Sequence, residues 1–165
     1  MLSRISNRLN SVTEAACCIF LLAMTLTVAL QVICRYLLGA ALTWSEEFSR
    51  YGLVWITFLG GGIAVKRGAH MGVEALVNAL SPRTRKIVQL LTLLSVVGFL
   101  VVATLKGFQL ALFNMNQHSP AMGVPMGAVY LAIPTGCLIM LVHASEELMV
   151  LFRSSSPADP GEAID

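Results

Sequence analysis

The sequence predicts an all-α membrane protein with four transmembrane helices and a short interfacial amphipathic helix between helices two and three. Three observations carry that reading. Hydrophobic residues make up 56% of the 165-residue chain and charged residues only 12%, against about 25% charged in a soluble domain. The mean hydropathy is +0.77. Four apolar runs each reach the ~20 residues that a helix needs to cross a bilayer. A chain of this length holds one domain. Its net charge of +2 is too small to suggest a nucleic-acid partner.

Residues 1–11 read as a polar, basic leader, with Arg4 and Arg8. The apolar run that follows extends to about Leu38 without a small-residue cleavage site, so it reads as a retained helix rather than a secretion signal. Helix one is expected over residues 12–38, long enough to tilt or protrude. Glu14 suits its first turns, where the helix dipole favours negative charge. Gln31 and Arg35 fall in its last turns. Arg35 can snorkel to the interface or meet a carboxylate.

Gly39 to Leu42 make a tight turn, and helix two is expected over residues 44–65. It opens on Thr43-Trp44-Ser45-Glu46-Glu47-Phe48-Ser49-Arg50. Thr43 and Glu46 fit a capping box, in which hydroxyl and carboxylate satisfy free N–H groups at the helix start. Glu46 and Arg50, four apart, also share a face and can pair. Trp44 sits where an interfacial aromatic anchor is expected. Gly52, Gly60, Gly61 and Ala64 form a small-residue face for close helix packing. That face serves either another helix of this chain or a partner.

The loop from Lys66 to Lys86 is the most basic stretch, with Lys66, Arg67, Arg83, Arg85 and Lys86. Within it, residues 70–80 place Val73, Leu76, Val77 and Leu80 at helical spacing, an amphipathic segment lying in the headgroup plane. Arg67, His70 and Met71 lead into it. The segment is either a plain interfacial anchor or a contact with a partner. Ser81-Pro82 supplies an N-cap and a first helical proline. Helix three is expected over residues 82–113, with Lys106 near its far end. Helix four is expected over residues 124–152, kinked by Pro134. The tail, residues 154–165, is rich in Ser, Pro, Ala and acid and reads as disordered.

Basic residues concentrate in the leader and the middle loop. The positive-inside bias therefore puts both termini and that loop in the cytoplasm. Charges near a membrane core need partners. Glu46, Glu47, Arg50, Arg35 and Lys106 are thus expected to form one cluster near the outer face. Glu14, Glu146, Glu147 and Arg153 are expected to gather near the inner face.

The chemistry points away from catalysis. No nucleophile–base set, phosphate loop or HExxH motif occurs, so the chain reads as a non-enzyme without a cofactor. Cys17, Cys18, Cys34 and Cys137 lie in apolar runs without metal or redox spacing and read as free, buried thiols. A haem needs facing histidines at membrane depth. Among His70, His118 and His143 only His143 lies there, and a hydrogen bond inside the bundle suits it better. A solute carrier needs polar groups near the midplane, yet helices one to three are apolar there. The chain therefore reads as an accessory subunit, with an independent small four-helix exporter as the alternative.

The motif Trp44-Ser45-Glu46-Glu47 with Arg50, then Gly60-Gly61 through Ala64, Arg67, His70, Met71 and Val73, resembles the small membrane subunit (DctQ-type) of tripartite ATP-independent periplasmic, or TRAP, transporters. The resemblance covers roughly residues 8–153. It implies a three-part uptake system in the bacterial inner membrane. A periplasmic solute-binding protein captures an organic acid. A large multi-helix subunit moves it with an ion gradient, sodium or another, and carries the coupling ion. The small subunit binds and stiffens the large one. Trp44, Glu46, Glu47 and Arg50 then lock the start of helix two, either for that contact or only for this chain's fold.

Overall fold

The computed structural model describes residues 2–40, 42–67 and 81–153. They form five helices: α1 (Leu2–Leu37), α2 (Thr43–Lys66), α3 (Pro82–Phe113), α4 (Met126–Tyr130) and α5 (Ala132–Arg153). No strand occurs among the described residues. Four segments are long and apolar enough to cross a membrane: α1, α2, α3, and α4 with α5 together.

α1 begins ten residues before its expected start, so the basic leader is helical. Its polar residues continue the helix, and Ser6 within it is fully buried. Inside α1 the Thr13, Thr25 and Thr27 hydroxyls each bond the carbonyl four residues back at 2.8 Å. A hydroxyl satisfied this way can face lipid without an orphan donor. Gly39, at φ 65°, ends the helix and lets the Ala40 N–H reach Cys34 O at 3.2 Å. A side chain would strain that left-handed turn.

The expected capping box at α2 does not form. Leu42, not Thr43, is the N-cap, and no side chain caps the helix. Thr43 is already helical, so its hydroxyl is past the position from which it could bond N3. At α3 the expected cap is present. Ser81 accepts from Thr84 N, with proline opening the helix.

The last span breaks at Leu131, between α4 and α5. Pro134 lacks an N–H for the Tyr130 carbonyl, so the irregularity falls one turn before the proline, as ring geometry requires. Leu131 and Thr135 keep their own ladder bonds, at 3.0 and 3.1 Å.

The spans stand in an open row, in the order α1, α2, α5, α3. Each touches its neighbour in that order, α1 also touches α5, and α3 touches neither α1 nor α2. Glycines set the inner spacing. A Cβ on Gly62 would lie 2.6 Å from Ile139, one on Gly136 2.6 Å from the Phe58 carbonyl oxygen, and one on Gly107 3.0 Å from Pro134. Those approaches hold α2 and α3 against α5 at backbone distance. Consequently 44% of the last span's apolar window is buried and none of α1's.

Candidate functional site

Among the described residues, side-chain bonds between helices lie toward the two ends of the row. At the end carrying the Gly39 turn and the α3–α4 loop, Glu47 anchors α2 to that loop. Its Oε1 accepts the Ala121 N–H at 3.1 Å and its Oε2 the Met122 N–H at 3.0 Å. The loop itself is closed by backbone bonds from Ser119 N–H to Val124 O at 2.9 Å and from Met126 N–H to Gln117 O at 2.7 Å. Gly123, at φ 67°, provides its left-handed corner.

The expected five-residue charge cluster at this end is not assembled. Glu46 accepts from Gln31 Nε2 at 3.4 Å, and Lys106 donates to Gln109 at 3.1 Å. Neither Arg35 nor Arg50 makes an ion pair among the described residues. The cause is the helix order: Arg35 is on α1 and Lys106 on α3, and those helices do not touch. Glu47 finds two backbone donors and the Ser119 hydroxyl, with Arg50 attracting it without a direct ion pair, and carboxylates bind such N–H pairs strongly. Trp44 is half-exposed and meets Phe48 edge-on at 6.4 Å.

The opposite end holds three ties, one for each pair among α1, α2 and α5. Arg67 Nη2 donates to Glu14 Oε1 at 2.7 Å, joined by Asn10 Nδ2 at 2.9 Å. Lys66 Nζ meets Glu146 Oε2 at 2.5 Å. Ser6 Oγ and His143 Nδ1 lie 2.7 Å apart, both buried. The acids expected here, Glu14 and Glu146, are in place, but their cations come from Lys66 and Arg67 at the end of α2. Glu147 is exposed and takes no part. The sequence marks Lys66 as an orientation charge and Arg67 as that and as the lead into the interfacial segment, not as partners of Glu146 and Glu14, and nothing in it marks Ser6 as the partner of His143.

The expected small-residue face splits in two. Gly61 packs on Met140, whereas Gly52 and Gly60 meet no atom within 4 Å of where a Cβ would stand, and Ala64 is exposed. Gly52 borders an apolar cavity of about 180 Å³ walled by Phe20, Phe48, Tyr51 and Trp55. Phe20 and Trp55 stack there at 6.4 Å. His70, Met71, Val73, Leu76 and Leu80, and with them the interfacial helix, lie outside the described residues. All four cysteines are free, but only Cys137 is buried. Among the described residues, no three His, Cys, Asp or Glu side chains come together as metal ligands would.

A row of spanning helices, tied at both ends by polar contacts and apolar between, defines a multi-pass membrane protein. The chain belongs to the DctQ component family of tripartite ATP-independent periplasmic transporters, whose pattern matches residues 24–154. A Haemophilus influenzae protein described as a TRAP transporter small permease is 29% identical over 156 residues, 92% of this chain and 95% of its own length. The ectoine TRAP transporter small permease protein TeaB of Halomonas elongata is 34% identical over 121 residues, 72% of this chain and 62% of its own. The isethionate TRAP transporter permease protein DctMQ of Oleidesulfovibrio alaskensis is 27% identical over 149 residues, 84% of this chain but 23% of its own length. These relatives are transporter subunits, and the family sets aside the independent exporter.

Proposed function

We propose that this chain supports ion-gradient-driven uptake of an organic acid by binding and stabilising the large permease subunit of a TRAP transporter. The observation that carries this reading is the open row. Its first three spans bury little inside the chain, and among the described residues its inter-helix polar contacts stand at the ends rather than at the midplane, where a solute site would sit. A wide, end-tied sheet of helices suits a partner that needs lateral support. The DctMQ relative, more than four times the length of the matched region, fits a small unit working beside a larger permease.

In this reading the chain lies in the bacterial inner membrane with both termini cytoplasmic, following the basic residues at the Lys66–Arg67 end. The Glu47-pinned loop then faces the periplasm, toward a solute-binding protein. The coupling ion, sodium by preference, binds the large subunit. Relatives named for ectoine and for isethionate share this small unit, so the solute is chosen elsewhere.

Reconstitution tests it. Liposomes holding this chain alone should take up no solute. Liposomes holding chain and large subunit, with the binding protein outside, should do so only with an ion gradient. Undiminished uptake by the large subunit without this chain would refute the supporting role.

A further inference from the structure

One face of α2 is unsuited to lipid. Glu46, Arg50, Leu53, Thr57, Gly60 and Ala64 recur at alternating spacings of four and three, a single stripe along a helix. All but Gly60 are exposed, and Gly60 has open space in front of it. The stripe holds one large apolar side chain. The exposed faces of the two outer helices differ sharply: α1 presents Leu22 and Leu26, and α3 presents Phe99 and Leu105, each at least 60% exposed. α2 also has the lowest mean hydropathy of the four spans, yet only 17% of its apolar window is buried. A helix with so little cover inside its own chain should be among the most apolar if lipid surrounded it. Arg50, two turns into α2, makes no ion pair among the described residues and has only the attraction of Glu47 one turn away, and a charge near a membrane core is held by protein or drawn to the interface.

We infer that this stripe is the seat of a transmembrane helix of the large permease subunit. The inference rests on the function proposed above and adds the face that meets the partner. The occupant follows from the DctMQ relative, in which the matching region forms 23% of one longer permease chain. A module continuous with its permease has that permease as its membrane neighbour. Thr57, Gly60 and Ala64 let the two backbones approach closely. Arg50 then faces an acceptor on the partner, a carboxylate or the free carbonyls of a helix C-terminus. The Glu46 side chain, held by Gln31, borders that contact.

The test is site-specific photo-crosslinking in native membranes, with the full chain co-expressed with its large subunit. A photoreactive residue at Leu53, Thr57 or Ala64 should cross-link to the large subunit; one at Leu26 of α1 or Leu94 of α3 should not. Gly60→Leu should cut co-purified large subunit by at least about fivefold, with the chain itself equally abundant, since its own fold leaves that space open. Gly98→Leu, equally open on α3, should change nothing. Cross-links from Leu26 or Leu94 but not from the stripe would overturn the face and leave the subunit reading standing. Cross-links to a second copy or within the chain would overturn it in favour of those occupants. Absence of any cross-link, with no large subunit co-purifying with the unaltered chain, would sink the subunit reading as well.

Discussion

The Glu47 carboxylate and the Met122 N–H are 75 residues apart in sequence and 3.0 Å apart in space. With the Ala121 N–H on the other oxygen and the Ser119 hydroxyl beside them, Glu47 ties the start of α2 to the α3–α4 loop. A carboxylate bridging two successive backbone donors fixes both position and orientation. Glu47→Ala should therefore free that loop. Hydrogen exchange at Ala121 and Met122 should speed up several-fold while exchange in mid-α3 stays unchanged. Glu47→Gln, which keeps one acceptor oxygen, should fall between. Equal exchange in all three proteins would show that the loop holds itself.

The glycines of the row divide by what faces them. Gly136 lies against the Phe58 backbone, and a Cβ would come within 2.6 Å of its carbonyl oxygen. No side-chain rotation relieves such a clash, so Gly136→Leu has to push α2 off α5. Overpacking costs about 1–3 kcal/mol where neighbours can shift, and a backbone obstacle belongs at the upper end. Gly98→Leu should be near neutral. Thermal unfolding in detergent should separate the two variants clearly, with Gly136→Leu the lower.

The spans were readable because the physics that specifies them is one-dimensional. Apolar length, Ser81-Pro82 and Pro134 act locally, and α3 occupies residues 82–113 as expected while α2 lies within one residue of its expected bounds. The start of α1 was not readable, because Arg4, Asn7 and Arg8 look like a leader until Ser6 is seen buried beneath α5. The outer charge cluster failed for a different reason. Glu46, Glu47, Arg50, Arg35 and Lys106 share a depth, and depth is what hydropathy reports. Whether they meet depends on the lateral order of helices, to which sequence spacing is blind. The same gap hid Lys66 and Arg67. Their charge was plain, but that Glu146 and Glu14 stand beside them follows only from α2 lying between α1 and α5.

Ser6 and His143 form a buried polar pair whose members depend on each other. Removing Ser6 leaves His143 Nδ1 unsatisfied, which costs about 1–3 kcal/mol, and removing His143 takes from Ser6 a partner it has besides Glu146. Ser6→Ala and His143→Leu should each destabilise the chain by that order. The double variant leaves neither group orphaned at this contact, so it should be markedly less destabilised than the sum of the two, with a coupling of about 0.5–3 kcal/mol. Additive losses in detergent melting curves would mean that the 2.7 Å contact carries no energy.

Two ion pairs at the same end of the row should behave differently. Lys66–Glu146 is mostly shielded, with side chains 22% and 19% exposed, whereas Arg67–Glu14 is open at 69% and 37%. Exposed pairs are screened by salt and contribute little, while shielded ones keep their attraction. Lys66→Glu sets two carboxylates against each other between α2 and α5, and it should lower the melting temperature in both low and high salt. Adding Glu146→Lys restores the pair in reverse and should recover most of the loss. Arg67→Glu should show a smaller drop that fades as salt rises, because solvent reaches both partners. If the two reversals respond alike to salt, the Lys66–Glu146 contact is no better shielded than its neighbour, and the ends of α2 and α5 are held by packing alone.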